Sequence, residues 1–142
     1  SGPAAARYRA AAGEYRDRFQ GLALTTKQAA ALMANPSMRV YDAPGQTLAC
    51  CFDPRKALCR RDTPTTARAA TTPDLTACDH RCANIARTEE HITALRAELA
   101  ALQEEHDSPT TPAPMRHRIR AQIDRREAIV TAHRYAQDGG QP

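Results

Sequence analysis

The chain has 142 residues and a formal net charge of +4; it is 42% hydrophobic but only 4% aromatic, with two Phe and no Trp. Alanine supplies much of that hydrophobic share, so large core side chains are scarce, and stability has to come from a metal, a partner chain or self-packing helices. The positive charge is almost all arginine, with Lys27 and Lys56 the only lysines, which permits nucleic-acid binding without establishing it; no apolar run is long enough to cross a bilayer, so no membrane partner is expected.

Ser1-Gly2-Pro3 reads as a vector-derived leader, and the chain is expected to be a piece of a longer protein. Ala4 to Phe19 is predicted to be a helix, with Tyr8, Ala12, Tyr15 and Phe19 on one face and Arg7, Arg9, Arg16 and Arg18 flanking it. Gly21 is a stop signal. Thr25 with Gln28 caps a short helix that ends at Asn35-Pro36. Met38 to Tyr41 and Thr47 to Phe52 read as the strands of a small hairpin around the turn Asp42-Ala43-Pro44-Gly45. The Thr-, Arg- and Ala-rich stretch from Arg60 to Thr72 reads as a mobile loop.

Thr72-Pro73-Asp74 has the signals of a helix start, which predicts a long helix from about Asp74 to about His106. Along it Ile85, Ile92 and Leu99 alternate with Thr88, Leu95 and Leu102 in a heptad seam. The Pro-rich stretch from Ser108 to Pro114 breaks it, and a second helix follows from about Met115 to about Tyr135. Ile119, Ile123, Val130 and His133 fall near one face of that helix. The two helices are expected to pair as an antiparallel hairpin, the first acidic and the second basic. Arg116, Arg118, Arg120, Arg125 and Arg126 are therefore read as facing the glutamates of the first helix, and His91, His106, His117 and His133 as surface residues.

The five cysteines are Cys50, Cys51, Cys59, Cys78 and Cys82, and no secretion signal accompanies them, which fits a reducing, cytoplasmic setting where clustered cysteines more often hold metal than form disulfides. Four of them suit a tetrahedral Zn²⁺ site: Cys50, Cys59, Cys78 and Cys82. Adjacent residues of a strand point to opposite faces, so Cys51 is read as buried and apolar. Cys78 and Cys82, four apart, would share one face near a helix start. A closed four-sulfur site has no open position for water, so it is structural. An iron–sulfur cluster on the same thiols, and His80 replacing one of them, are the alternatives. No Gly-rich phosphate loop, nucleophile elbow or HExxH motif is present, and an enzyme is the least expected class.

The run Cys50-Cys51-Phe52-Asp53-Pro54-Arg55-Lys56-Ala57-Leu58-Cys59, then Thr72-Pro73-Asp74-Leu75, Cys78 and Cys82-Ala83-Asn84-Ile85-Ala86-Arg87-Thr88, resembles the C-terminal region of actinobacterial integrase-like proteins of the tyrosine-recombinase class. The resemblance spans roughly Gly21 to Tyr135, and in that pattern Cys50 aligns with the first cysteine. It implies DNA association and a role in mobile-element integration. It carries over no catalysis, because Tyr8, Tyr15, Tyr41 and Tyr135 lack the setting of the nucleophilic tyrosine.

The expected fold is mainly α: a small zinc-stabilised module with four cysteine ligands, a short β-hairpin and a long antiparallel helical hairpin. Its expected organisation is N-terminal helices and first strand at 1–49, a metal-binding segment at 50–82, the helical hairpin at 83–135 and a disordered tail at 136–142. The expected function is a non-catalytic DNA-binding or DNA-complex-assembly module. Arg55, Lys56, Arg60 and Arg61 are the first phosphate-contacting candidates, and Arg7, Arg9, Arg16 and Arg18 the second group. Two alternatives stand beside it: a protein-interaction module, binding a protein partner or a second copy as a homo-oligomer through the heptad helix, and an iron–sulfur redox sensor.

Overall fold

A computed structural model describes residues 1–19, 23–60 and 72–139 of the chain, the side chains of Phe19, Met33, Ser37 and Arg60 excepted. The chain divides into two compact units: Gly2–Ala86, and Arg87–Pro142 together with Ser1.

In the first unit α1 spans Ala5–Phe19 and α2 spans Thr26–Ala34. Thr25 and Gln28 form the reciprocal capping box that the sequence predicts, satisfying two donors at the start of α2. The buried residues of α1 are Ala4, just before it, and Ala11, with Tyr8 packed between Cys51 and Val40; Tyr15 is 46% exposed. The packing stripe is thus turned by about one residue from the predicted one.

Strands β1 (Val40–Ala43) and β2 (Leu48–Cys51) form the expected antiparallel hairpin, with Val40 opposite Cys51 and Ala43 opposite Leu48. Its turn, Pro44–Gln46, closes through Thr47 in the left-handed region at φ 55°. A third strand, β3 (Ile85–Ala86), pairs with β2 on its other side and completes the order β1-β2-β3. Because strand side chains alternate, one face of β2 packs Leu48 with Ala43, Cys82 and Ile85, and the other packs Cys51 with Ala4 and Ala86. Phe52 is 2% exposed and meets Tyr41 edge to face at 6.3 Å. Gly2 sits at φ 96°, and a Cβ there would lie 2.8 Å from the Ile85 carbonyl oxygen, so only glycine fits. Ala4 N–H donates to that same carbonyl at 2.9 Å, so the residues read as a leader are built into the fold.

The long helix expected from Asp74 is not formed. Leu75–Ala77 is a single 3₁₀ turn, and helix α3 begins only at Glu89. Asp74 and Asp79 explain this: each carboxylate accepts the backbone N–H two residues on, from Thr76 at 3.0 Å and Arg81 at 2.9 Å, which favours turns over helix. Ile85 and Thr88, placed by sequence in the heptad seam, instead belong to β3 and to the N-cap of α3. Thr88 caps with His91 in the position usually held by Glu or Gln, and His91 is 7% exposed rather than a surface residue.

In the second unit α3 (Glu89–Asp107) and α4 (Ala113–Gln137) form the expected hairpin. Ile92, Leu95, Leu99, Ile119 and Ile123 are buried, and Leu102 and Val130 pack beside them. The connection is held by Thr111 Oγ1 donating to the Glu105 carbonyl at 2.6 Å and Arg116 Nε donating to the Thr111 carbonyl at 3.0 Å. Arg126 bridges to Glu98 at 2.8 Å, a cross-helix pair of the kind the charge pattern predicts, whereas Arg120 pairs within its own helix with Asp124 at 2.9 Å. The predicted loop at 60–72 falls almost wholly on residues outside the described ones, as do Gly21 and the last three residues of the predicted tail. Residues 136–137 of that tail are the end of α4.

Candidate metal centre

Cys50 is central in β2, opposite Tyr41 on one side and Ile85 on the other, and is 4% exposed. Cys59 lies in the 3₁₀ turn Leu58–Arg60 and is half-buried. Cys78 follows the turn Leu75–Ala77 in an extended conformation and packs against the cluster that holds Cys82, which is 5% exposed. The reading of Cys78 and Cys82 as neighbours on a helix face is therefore corrected: turns, not a helix, bring them together.

The four thiols share one electrostatic neighbourhood. Burial pushes the Cys50 thiol up to about 12, and repulsion from Cys78, Cys82 and Cys59, with a smaller part from Cys51, adds to it. Cys78 is raised by burial first, then by Cys59 and Cys82. No disulfide joins any of the five cysteines. Cys82 Sγ lies 3.5 Å from the Lys56 carbonyl oxygen. Among the described residues no three His, Cys, Asp or Glu side chains close to metal-holding geometry, so the thiols cluster without converging on one point. The donor set is of the kind a soft, divalent ion takes: such an ion offsets the burial and the mutual repulsion that raise Cys50 and Cys78. Cys51 faces the opposite way, into α1, with its Sγ 3.9 Å from the Ala4 carbonyl oxygen. His80 is exposed.

Two short loops of the same design flank the thiols. In Asp53-Pro54-Arg55 the carboxylate accepts from the Arg55 backbone N–H at 3.0 Å and from its guanidinium at 3.1 Å. In Asp79-His80-Arg81 it does the same at 2.9 and 3.0 Å. These hydrogen bonds from Arg55 and Arg81 hold both carboxyls below the ordinary carboxylate range. Asn84, fully buried, ties the loops to α1: its amide donates to the Asp53 carbonyl at 2.9 Å and its Oδ1 accepts from Arg7 at 3.1 Å. Arg7 also donates to the carbonyls of Cys51 at 2.9 Å and Ala83 at 2.7 Å. Sequence reasoning gave Asn84 no role and read Arg7 as a phosphate ligand. The place of Asn84 immediately before Ile85-Ala86, both buried in β3, held the signal.

The other basic candidates are spread over the first unit. Arg9, Arg16 and Lys56 are exposed, Arg18 pairs with Glu14 at 3.0 Å, and Arg55 pairs with Asp53 at 3.1 Å. Arg60's side chain and Arg61 lie outside the described residues. Gly2–Ala86 contains twelve Lys and Arg against seven Asp and Glu, a net of +5; the rest of the chain contains eight against nine, a net of −1. All of the chain's surplus positive charge therefore belongs to the unit that holds the cysteines.

The second unit has a polar cluster that sequence reasoning missed. His133, read as a surface residue, is 4% exposed. Its Nε2 lies 2.5 Å from Glu89 Oε1 and its Nδ1 2.7 Å from Ser1 Oγ. A carboxylate only accepts, so Nε2 carries a proton toward Glu89, while Nδ1 and the serine hydroxyl share the second bond. Ser1 and Arg87 also exchange backbone hydrogen bonds, at 2.8 and 2.9 Å. His106 is half-buried beside Asp107 at 2.8 Å, and His117 is exposed.

Compared with protein-family models, curated proteins and solved structures, the chain gives no match. Among the described residues no helix is long and apolar enough to cross a membrane.

Proposed function

We propose that Gly2–Ala86 is a zinc-clipped, non-catalytic module that binds the phosphate backbone of DNA, in the assembly of a DNA complex by an integrase-like mobile-element protein. One observation carries the reading: Cys50, Cys59, Cys78 and Cys82 meet in the unit that contains the chain's whole surplus of positive charge. In this reading the four sulfurs hold Zn²⁺, which clips β2, the Leu58–Arg60 turn and the turns around Cys78 and Cys82 to one another. The ion supplies structure and no chemistry, because four sulfur ligands leave no position for a reacting water. Exposed Arg9, Arg16 and Lys56 would then contact phosphate, while Arg7 also braces the fold through its bonds to the carbonyls of Cys51 and Ala83. The cytoplasm, where thiols stay reduced, is the compartment this reading requires. An iron–sulfur cluster on the same thiols is its rival in metal identity. The protein-partner reading is favoured less, since Ile92, Leu95 and Leu99 of the heptad seam are buried.

The test combines elemental analysis with duplex binding. Zinc at one ion per chain, with duplex affinity that falls linearly in log salt, is the expected result. Replacing Arg9, Arg16 and Lys56 together with Ala should flatten that slope by about 2–3. Iron with a brown colour would replace zinc in the reading, and no duplex binding at low salt would end the DNA assignment.

A further inference from the structure

A cavity of about 110 Å³ opens beside the sheet, lined by Arg7, Ala10, Pro36, Arg39 and Cys51. Its two cations come from separate elements, and among the described residues no carboxylate lines it. Arg7 projects from α1 and is held by three hydrogen bonds, from Nη1 to the Cys51 carbonyl and from Nη2 to the Ala83 carbonyl and Asn84 Oδ1. A guanidinium has five N–H donors, so two of Arg7's remain for a ligand. Arg39 comes from the residue just before β1. Its carbonyl accepts from Phe52 N–H at 2.9 Å, and its Nη2 lies 3.4 Å from the Ala34 carbonyl oxygen. The Arg7 guanidinium is thus anchored by the chain before any ligand arrives, which lowers the entropy cost of ordering it there. Ala10, Pro36 and Cys51 make the rest of the wall apolar, which strengthens a charge-assisted bond inside it.

We propose that this cavity is a seat for a tetrahedral oxyanion of the phosphate class, gripped between the Arg7 and Arg39 guanidiniums. The nucleic-acid reading above, on which this rests for its source, makes that anion a backbone phosphate of bound DNA. Arginine suits the task because its planar fork matches phosphate oxygens two at a time. The seat also gives Arg7 a second role: the guanidinium that braces Asn84 and β2 is the one that would touch the anion.

Two measurements test this on the full chain. Inorganic phosphate is titrated into ¹⁵N-labelled protein, following the amides of Ala10, Arg39 and Cys51 and the Arg7 Nε–H. Duplex affinity is measured for wild type, Arg39→Ala and Arg39→Lys across a salt series. The expected result is saturable phosphate shifts confined to the cavity. Arg39→Ala should weaken duplex binding at low salt about three- to tenfold and lower the salt slope by about 1, with Arg39→Lys between the two. Arg39→Lys keeps the charge and the stem, so it reads the seat even where Arg39→Ala disturbs the fold. Phosphate shifts without any duplex binding by wild type would support the seat with a free or small-molecule phosphate as ligand, and would sink the DNA reading alone. Duplex binding by wild type that Arg39→Ala and Arg39→Lys leave unchanged, with no phosphate shifts in the cavity, would overturn the seat and leave the DNA reading standing.

Discussion

In the second unit Ile92, Leu95, Leu99, Ile119 and Ile123 are buried, while among the described residues the buried core of Gly2–Ala86 is drawn largely from Ala4, Ala11, Ala43, Ala49, Ala86 and three cysteines, with Met38, Leu48, Phe52 and Ile85 as its larger apolar residues. Each buried methylene contributes about 0.8 kcal/mol, so a core of alanine and cysteine is thin for the backbone it has to order. The hairpin has an aliphatic seam of Leu99, Ile119 and Ile123 and a cap at Thr88. The first unit relies on directional bonds instead: three sheet strands, Asn84 and Arg7 at its centre, and on our reading a metal. The charge divides the same way, +5 against −1, so the unit with the weaker apolar core has the surface suited to an anionic partner.

The sharpest way to break this comparison is to remove one thiol. Cys82→Ser should abolish zinc retention and unfold Gly2–Ala86 while the hairpin keeps its helical signal. In small zinc domains the metal is worth roughly 10–16 kcal/mol, as much as the roughly 5–15 kcal/mol that holds a whole domain together. Hydrogen exchange reads both units at once: protection should vanish at Cys51 and Ala86 and persist at Leu95 and Ile123. Native protection in β2 with zinc lost would mean that the small-residue core is sufficient by itself, and unchanged zinc content would remove Cys82 from the ligand set.

The converse substitution should act on the other unit. Ile123 is 1% exposed and packs with Leu99 and Ile119. Ile123→Ala removes its methyl and methylene groups and leaves a cavity, at a cost of about 3 kcal/mol to the hairpin. Denaturant melts followed by helicity would show the loss, and zinc content should stay the same. A shift under about 1 kcal/mol would mean that the seam relaxes around the gap and is less tightly built than the buried residues indicate.

The sequence revealed the elements whose partners are close along the chain, and it missed those whose partners are distant. The β1–β2 hairpin, the Thr25–Gln28 cap and the paired helices all follow local patterns, and all are present. The region from Asp74 to Thr88 misled, because Thr-Pro-Asp is a sound helix start in isolation. The two aspartates that capture N–H groups for turns, and the pairing of Ile85-Ala86 with β2, outweigh it. The heptad phase happened to extend back through Ile85 and Thr88, which lengthened the apparent helix. Of the candidate site, the nearness of Cys50 to Cys59, Cys78 and Cys82, and the opposite facing of Cys51, were legible from clustering and strand alternation. The roles of Arg7, Asn84 and His133 were not, because their partners lie 31 to 132 residues away along the chain, from the bond between Asn84 and Asp53 to that between His133 and Ser1. A buried polar side chain looks like a surface one until its acceptor is known.

The smallest expected effect separates the two units by their response to acid. The hydrogen bond from His133 is the largest cause that holds the Glu89 carboxyl below its ordinary value; burial opposes it slightly, and the charges of His133 and Arg96 and a bond from Gln137 add to the lowering. A carboxyl whose folded value is depressed contributes stability above its unfolded value, near about pH 4.3, and loses it as pH falls through the folded value. The hairpin should therefore weaken below about pH 4, more steeply in wild type than in Glu89→Gln. The amide of that variant still accepts from His133 but cannot gain a proton. Glu89 is largely exposed, so the difference should be a shallow change in slope, read by melting hairpin helicity from about pH 6 down to about pH 3. Equal slopes in the two proteins would mean that the Ser1–His133–Glu89 string is held by shape alone, and that the hairpin needs no charge to complete what its isoleucines begin.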